Sequence, residues 1–262
     1  MQKLALGIEY DGTLCCGWQR QIDVPSIQGY IENAVKKITD ESITVFCAGR
    51  TDAGVHALGQ VVHFETRSQR SKSEWTLGMN RYLPESICVR WAQLVNEDFH
   101  ARFSAISRRY CYVINNSCIR SALLFKKTWH YKKYLDINKM CDAAQCLLGE
   151  NDFSSFRAAG CQSYSARRKL YHVRIIRKGQ CIIVIDIKAN SFVYRMVRNI
   201  VGSLVKVGCG ERPEIWIEEL LKNCNRSLAG VTAPSSGLYL VEVKYPSYFS
   251  IPSSFIKELW CA

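Results

Sequence analysis

The order of strand-like and helix-like segments in the first hundred residues constrains the fold most. In chain order, the patterns predict strand 3–10, helix 25–39, strands 43–48 and 61–66, helix 74–82 and strand 87–94. The helix at 25–39 is amphipathic, since Ile27, Ile31 and Val35 recur on one face. This is the β-α-β-β-α-β order of ferredoxin-like folds, whose strands form one antiparallel sheet.

A second series of segments follows a crossover at 96–105. Its predicted elements are strands 108–114 and 127–134, helix 136–148, strands 171–178 and 181–188, helices 191–207 and 213–223 and strand 238–244. The chain of 262 residues is long enough for one large or two modest domains. No sequence repeat is visible, so a duplication rests on element order alone. We expect an α+β fold of two ferredoxin-like halves, with domains 1–103 and 104–262.

The charge of the chain is distributed unevenly between these two parts. Residues 1–103 hold 11 Lys and Arg against 12 Asp and Glu, whereas residues 104–262 hold 24 against 11. A basic excess confined to one part favours a polyanionic partner, and nucleic acid is the usual one. A generic solubilising surface is the alternative, although such a surface mixes the signs more evenly.

The basic residues of the second part occur in short clusters beside aromatic residues. Candidate phosphate contacts are Arg108, Arg109, Arg167, Arg168 and Lys169. Neighbouring aromatic residues such as Tyr110, Tyr164 and Tyr171 can stack on unpaired bases, although most aromatic residues of this kind belong to a core.

The 13 cysteines indicate neither a disulfide framework nor a zinc site. Their number is odd, no Cys-x-x-Cys pair occurs, and the five histidines are scattered along the chain. The N-terminal apolar segment is too short for a signal peptide, and no segment is long enough to span a membrane. We therefore expect free thiols, no metal, no cofactor, no membrane contact and a cytoplasmic location.

One loop, residues 48–57, carries the strongest chemical signal. It places Asp52 between Gly49 and Gly54 and close to Arg50 and His56, and strand-like segments flank it. Functional groups are commonly held in loops between strands, the two glycines allow positive φ or close approach to a ligand, and Arg50 can help to keep Asp52 ionised. An ordinary turn, in which the Asp52 side chain bonds its own backbone, fits the same residues. The loop alone leaves both interpretations open.

Seven segments in consistent order resemble the TruA family of tRNA pseudouridine synthases over essentially the whole chain. They are Tyr10-Asp11-Gly12-Thr13 with Gly17-Trp18-Gln19-Arg20-Gln21; residues 48–57; Ala101-Arg102-Phe103-Ser104; Arg108-Arg109-Tyr110; Leu148-Gly149-Glu150-Asn151-Asp152-Phe153; Phe192-Val193-Tyr194-Arg195-Met196-Val197-Arg198-Asn199; and Gly237-Leu238-Tyr239-Leu240. Any one segment would be weak support, whereas seven together are specific.

The resemblance implies a reaction, a substrate and a set of roles. The implied activity is cofactor-free isomerisation of uridine to pseudouridine at positions 38, 39 and 40 of the tRNA anticodon stem-loop, by a homodimer with a basic active-site cleft. Asp52 is then the nucleophile, attacking C6 of the base or capturing C1′ of the ribose. By the same resemblance, Arg198 is its cationic partner, and Tyr110 stacks on the extruded uracil and serves a proton transfer. Arg50 and His56 of the loop are implied substrate contacts.

Two other classes of protein share some of these features. RNA-recognition modules also combine ferredoxin-like folds with basic faces, but their aromatic-rich signature is absent and they do not explain the 48–57 loop. An aspartyl phosphatase is suggested by Glu9-Tyr10-Asp11-Gly12-Thr13 after a strand. That pattern, however, requires Asp where this chain has Glu9, and no phosphate-binding Gly-x4-Gly-Lys-Ser/Thr loop is present.

Overall fold

The structure, a computed structural model, describes residues 1–252 of the chain and divides them into two compact units. The first unit contains Met1–Ile106 and residues 239–252, and the second contains Ser107–Leu238. The chain therefore passes from the first unit to the second after Ile106 and returns to the first unit at Tyr239.

Both units combine helices with strands, so the fold is α+β. The strands are β1 Gln2–Tyr10, β2 Phe46–Cys47, β3 His56–Thr66, β4 Ile87–Val95, β5 Ser107–Asn115, β6 Trp129–His130, β7 Gly149–Asp152, β8 Arg167–Lys178, β9 Ile182–Ala189 and β10 Leu238–Lys244. The helices are α1 Ile27–Thr39, α2 Lys72–Tyr82, α3 Ile137–Ala144, α4 Met196–Gly208 and α5 Trp216–Asn223.

The first unit is built on a sheet with β1 at its centre. β1 pairs antiparallel with β3 and β4, β2 pairs antiparallel with β3, and β10 runs parallel to the beginning of β3. Helix α1 begins at Ser26, whose hydroxyl accepts from Gly29, and α2 begins with a capping box between Ser71 and Glu74. Helix α1 positions the segment that enters β2, because the Val45 amide donates to Glu32 Oε1 over 3.0 Å.

In the second unit the strands pair antiparallel in the order β7-β8-β9-β5, and β6 pairs parallel with β5. Helix α4 is almost entirely buried, which matches its apolar sequence. It packs closely on its neighbours: a Cβ at Gly208 would lie 2.6 Å from Met140 Sδ of α3, and one at Gly202 would lie 1.8 Å from the Val231 carbonyl oxygen.

The predicted elements are present, and the differences are mostly at their ends. β3 begins at His56, five residues earlier than predicted, so the loop that carries Asp52 is shorter than the predicted strands indicated. The helix predicted at 191–207 begins only at Met196, because Arg195 adopts a left-handed conformation with φ 58°. The strand predicted at 127–134 is reduced to β6, since Asn116 Nδ2 bonds the carbonyl oxygens of Tyr131 and Lys133. β7 was not predicted.

Eleven cysteines of the described part of the chain are free thiols. Cys111 of β5 differs from the expectation, since it is disulfide-bonded. Within residues 1–252 no group of three or more His, Cys, Asp or Glu is arranged to hold a metal ion. Over the same residues, no helix has both the length and the apolar character needed to cross a membrane.

Candidate active site

Asp52 lies at the start of a tight turn in the first unit. The Val55 amide donates to the Asp52 carbonyl oxygen over 3.1 Å, and Gly54, the third residue of the turn, has φ 77°. A positive φ at that position is strongly favoured by glycine. Gly54 therefore meets the expectation of positive φ, whereas Gly49 is not among the glycines with this conformation. The Asp52 residue is half-buried.

Two other glycines allow neighbouring segments to approach this turn. A Cβ at Gly12 would lie 2.0 Å from the Val55 carbonyl oxygen. Gly17 has φ 89°, and a Cβ there would lie 2.8 Å from the Thr51 carbonyl oxygen. Neither distance is possible for a real side chain without movement of the backbone. The segments that carry Gly12 and Gly17 therefore pack closely against the Asp52 turn.

His56 is buried directly after the turn, with only 2% of its surface exposed. The Gly12 amide donates to His56 Nδ1 over 3.2 Å, Asp11 Oδ1 lies 3.0 Å from the same nitrogen, and Tyr239 stacks on the ring at 4.7 Å. One nitrogen cannot accept and donate at once, so Nδ1 either accepts from Gly12 or, when it carries the ring proton, donates to Asp11. His56 thus lies in the interior of the unit, and its contact with substrate remains a prediction.

Arg50 differs from His56, because it is exposed. Its positive charge lowers the pKa of the nearby Cys47 thiol, but burial has the larger effect and raises that pKa to about 12. Because its side chain is exposed, Arg50 is accessible to a ligand that approaches the 48–57 loop.

Tyr110 and Arg198 belong to the second unit. Tyr110 lies on β5 with 8% of its surface exposed, and its ring meets that of Phe192 edge-on at 5.0 Å. Arg198 lies on the first turns of α4 and is half-buried. Its Nε donates to the Ala233 carbonyl oxygen over 2.7 Å, and the Ala233 amide donates back to the Arg198 carbonyl oxygen over 3.1 Å. These two bonds hold the Arg198 residue to a fixed segment of the unit.

Arg198 also acts on a buried tyrosine beside it. Burial raises the pKa of Tyr112 well above its usual value, and the positive charge of Arg198 opposes that rise. The Tyr112 hydroxyl donates to the Pro234 carbonyl oxygen over 2.7 Å. The Arg198 charge therefore lies in a partly desolvated environment, where its effect on a neighbouring anion is stronger than in water.

The first pair of candidate phosphate contacts, Arg108 and Arg109, is half-buried on β5. Arg109 makes a forked contact with Asp186 of β9, with Nε–Oδ1 2.9 Å and Nη2–Oδ2 2.6 Å. Arg108 Nη1 donates to the Asn190 carbonyl oxygen over 3.1 Å. Because a carboxylate compensates the charge of Arg109, we expect Arg109 to contribute less to phosphate binding than its sequence position suggests.

The second cluster lies at the start of β8 and contains residues of two kinds. Arg167 and Lys169 are exposed, and Arg167 lies opposite Asp152 of β7. Arg168 is half-buried and donates to the carbonyl oxygens of Ser165 and Arg167 and to the Ser163 hydroxyl, over 3.0, 2.6 and 2.7 Å. Arg168 therefore stabilises the loop before β8, whereas Arg167 and Lys169 are available to solvent.

Comparison with known proteins places the chain among RNA-modifying enzymes. A family model described as tRNA pseudouridine synthase matches residues 7–104 and 143–246. A protein of Blochmanniella pennsylvanica named tRNA pseudouridine synthase A is 88% identical over the full length of both chains. A protein of the same name from Pectobacterium atrosepticum is 56% identical over 99% of this chain and 92% of its own.

Likeness to solved structures is much weaker. A structure described as an H/ACA RNP bound to a substrate RNA containing 2'-deoxyuridine aligns with a TM-score of 0.38 and 10% identity, over 77% of this chain and 44% of that one. A likeness at this level supports no conclusion. The family model and the two full-length relatives are sufficient by themselves: the chain belongs to the tRNA pseudouridine synthases, a family of isomerases.

Proposed function

We propose that this protein converts uridines 38, 39 and 40 of the tRNA anticodon stem-loop to pseudouridine, with Asp52 as the nucleophile. The observation that carries the proposal is the Asp52 turn, which the close approaches at Gly12 and Gly17 enclose. A carboxylate in a tight turn between two paired strands is suited to act on a base that has left its helix. Family membership supplies the reaction class, and the anticodon positions follow from the TruA resemblance.

The reaction requires no redox partner, because uridine and pseudouridine are isomers. The N1–C1′ bond breaks, a C5–C1′ bond forms, the C5 proton is lost and N1 gains a proton. The Asp52 carboxylate can add to C6 of the uracil ring, or it can capture C1′ of the ribose. In both cases the carboxylate donates an electron pair and leaves unchanged, so no cofactor is needed.

We assign Tyr110 and Arg198 to the same reaction on the basis of the motifs that contain them. The edge-on contact with Phe192 orients the Tyr110 ring, which supports its proposed stacking on the uracil. Arg198 is the proposed cationic partner of Asp52, and its bond to Ala233 supports a fixed position for the Arg198 charge. The Tyr110 hydroxyl is the proposed group for the proton transfer from C5.

The tRNA contacts are proposed for the basic residues of both units. Arg50 is exposed beside the Asp52 turn, and Arg167 and Lys169 are exposed on β8. Such residues bind phosphates without reading sequence, so the choice of uridine is left to the pocket around Asp52. His56, Arg108, Arg109 and Arg168 are proposed to support binding through the segments that they hold.

The finer architecture and assembly are part of the same proposal. The strand order β4-β1-β3-β2 of the first unit supports a ferredoxin-like half, and we propose a second such half in the remaining chain. A homodimer and a cytoplasmic location are proposed from the resemblance alone. Light scattering after gel filtration measures the oligomeric state directly.

The reaction is tested by incubating the protein with an unmodified tRNA transcript that carries uridine at 38, 39 and 40. Pseudouridine is then mapped by carbodiimide adducts and primer extension. We expect adduct stops only in the anticodon arm, and none with a transcript in which the three uridines are cytidines. Stops elsewhere in the tRNA, or none at all, would contradict the proposed substrate.

The role of Asp52 is tested with Asp52→Asn, which keeps the shape of the side chain and removes its charge. We expect this variant to bind tRNA as the wild type does and to form no pseudouridine. Asp40→Asn is the matched control, since Asp40 is an exposed helix C-cap in a left-handed conformation that Asn also adopts. Turnover by a folded Asp52→Asn protein would remove Asp52 from the nucleophile role.

A further inference from the structure

Two buried polar side chains that the reaction does not use contact the segment leading to Asp52. The Tyr10 hydroxyl lies 2.8 Å from Thr51 Oγ1. The side-chain amide of Gln60 donates from Nε2 to the Gly49 carbonyl oxygen over 2.7 Å and accepts from the Gly49 amide at Oε1 over 3.4 Å. Tyr10 is 3% exposed and Gln60 is fully buried. Both therefore lie beneath the loop.

A polar group in such a position is costly unless it forms hydrogen bonds. Burying an amide without a partner costs about 1–3 kcal/mol in proteins, whereas an apolar side chain of the same size would pack without that cost. Gln60 lies between Gly59 and Val61 in β3, and it is fully buried beside apolar residues of the strand such as Val61 and Val62. Its amide is satisfied by the backbone of Gly49, at the point where the loop leaves β2.

Three contacts thus hold the backbone immediately before Asp52. Gln60 holds Gly49, the Tyr10 hydroxyl holds the Thr51 side chain, and the Trp18 amide donates to the Thr51 carbonyl oxygen over 3.0 Å. Tyr10 belongs to β1 and Gln60 to β3, which are adjacent strands of the same sheet. The position of Thr51 is therefore set by the rigid sheet and by the segment of Trp18.

We propose that Tyr10 and Gln60 are positioning residues, which fix the Asp52 carboxylate before tRNA binds. The inference rests on the proposed role of Asp52 as nucleophile. A reacting group that is already ordered loses no conformational entropy when substrate arrives, and displacement by about 1 Å is enough to reduce a rate about 100-fold. A contact one residue before the carboxylate acts at the point where displacement has the largest effect.

Tyr10→Phe tests the first contact, because it removes one oxygen atom and leaves the ring in place. Thr51→Val removes the partner hydroxyl with a side chain of the same shape. For each variant we expect the single-turnover rate at saturating tRNA to fall about tenfold, with the Kd for tRNA within about twofold of the wild type. The double variant should show the same fall as either single variant, since both remove one interaction.

Gln60→Leu tests the second contact. Tyr30→Phe is the matched control for Tyr10→Phe, because it removes the same hydroxyl from another tyrosine of the first unit. Tyr30 is on the exposed side of α1, with 37% of its surface accessible, and within the described residues its hydroxyl forms no hydrogen bond to the loop. We expect Gln60→Leu to lower the rate at unchanged Kd and Tyr30→Phe to change neither. If Gln60→Leu fails to fold, Tyr10→Phe and Thr51→Val still test the proposal.

Hydrogen exchange gives a readout that does not depend on activity. In Tyr10→Phe we expect faster exchange at the amides of Trp18 and Val55, which bond Thr51 and Asp52, and unchanged exchange in α1. Unchanged exchange at these amides, or an unchanged turnover rate in Tyr10→Phe and Thr51→Val, would overturn the proposal. If the wild type forms no pseudouridine at all, the proposed function fails first, and the exchange data still report the contacts separately.

Discussion

The buried histidine His63 makes the stability of the first unit sensitive to acid. The residue is 4% exposed, its Nδ1 accepts from the Ala101 amide over 3.2 Å, and Phe46 stacks on its ring at 5.3 Å. Burial lowers the pKa of His63 to about 4, and the nearby His100 and the charge of Lys3 act in the same direction. The folded protein therefore holds His63 neutral under conditions in which the unfolded chain protonates it.

The size of the effect follows from the two pKa values. The unfolded chain takes up a proton at His63 as the pH falls below 6.5, whereas the folded protein does so only near pH 4. The free energy of unfolding is therefore highest above pH 6.5, falls through this window and levels off below pH 4. Integrating the difference in bound protons gives a loss of about 2 kcal/mol between pH 7 and pH 5.

Urea unfolding at pH 7 and pH 5 measures this loss in the wild type and in His63→Gln. A glutamine amide at this position does not titrate, so we expect the variant to be less stable at pH 7 but to lose about 2 kcal/mol less on acidification. His130→Gln, in the second unit, should keep the acid sensitivity of the wild type. The same loss in wild type and His63→Gln would refute the assignment of the effect to His63.

Three further predictions concern the second unit. Arg198→Met should reduce the rate of single-turnover pseudouridine formation at least tenfold at an unchanged Kd for tRNA, because the proposed nucleophile loses its cationic partner. Turnover at the wild-type rate would contradict this role of Arg198. Replacing Arg167 and Lys169 by glutamate should weaken the binding of several tRNAs equally, and it should reduce the slope of log Kd against log salt in a filter-binding assay. An unchanged affinity at moderate salt would mean that these two side chains are solvated and do not contact phosphates. Arg109→Met should lower the free energy of unfolding, measured in urea, by about 3 kcal/mol, because the buried Asp186 loses its forked guanidinium partner and keeps only its contact with His172. A stable Arg109→Met protein with weaker tRNA binding would instead favour a direct phosphate contact.

The patterns of the sequence were sufficient to predict most of the fold. Alternating and amphipathic segments predicted β1, α1, α2 and β4 to within a few residues, because burial of one face imposes a period that the sequence must carry. The predictions were least accurate where a side chain competes for backbone groups or a residue takes an unusual conformation. Asn116 shortens the strand predicted at 127–134, and the left-handed Arg195 delays the start of α4. Neither effect produces a periodic arrangement of hydrophobic residues, so neither could be predicted from the hydrophobic pattern of the sequence.

The features of the candidate site can also be divided into those that the sequence predicted and those that only the structure showed. The sequence by itself determined the family, the Asp52 loop and the basic character of the second part, because these depend on residue type and spacing. Only the tertiary structure decided that His56 is interior, that Arg109 is paired with Asp186, and that Gln60 holds Gly49. Each of these roles depends on which donor meets which acceptor across the sheet, between residues 11 to 77 positions apart in the chain. Hydrogen bonds and ion pairs act over about 3 Å, and folding alone brings such partners to that distance.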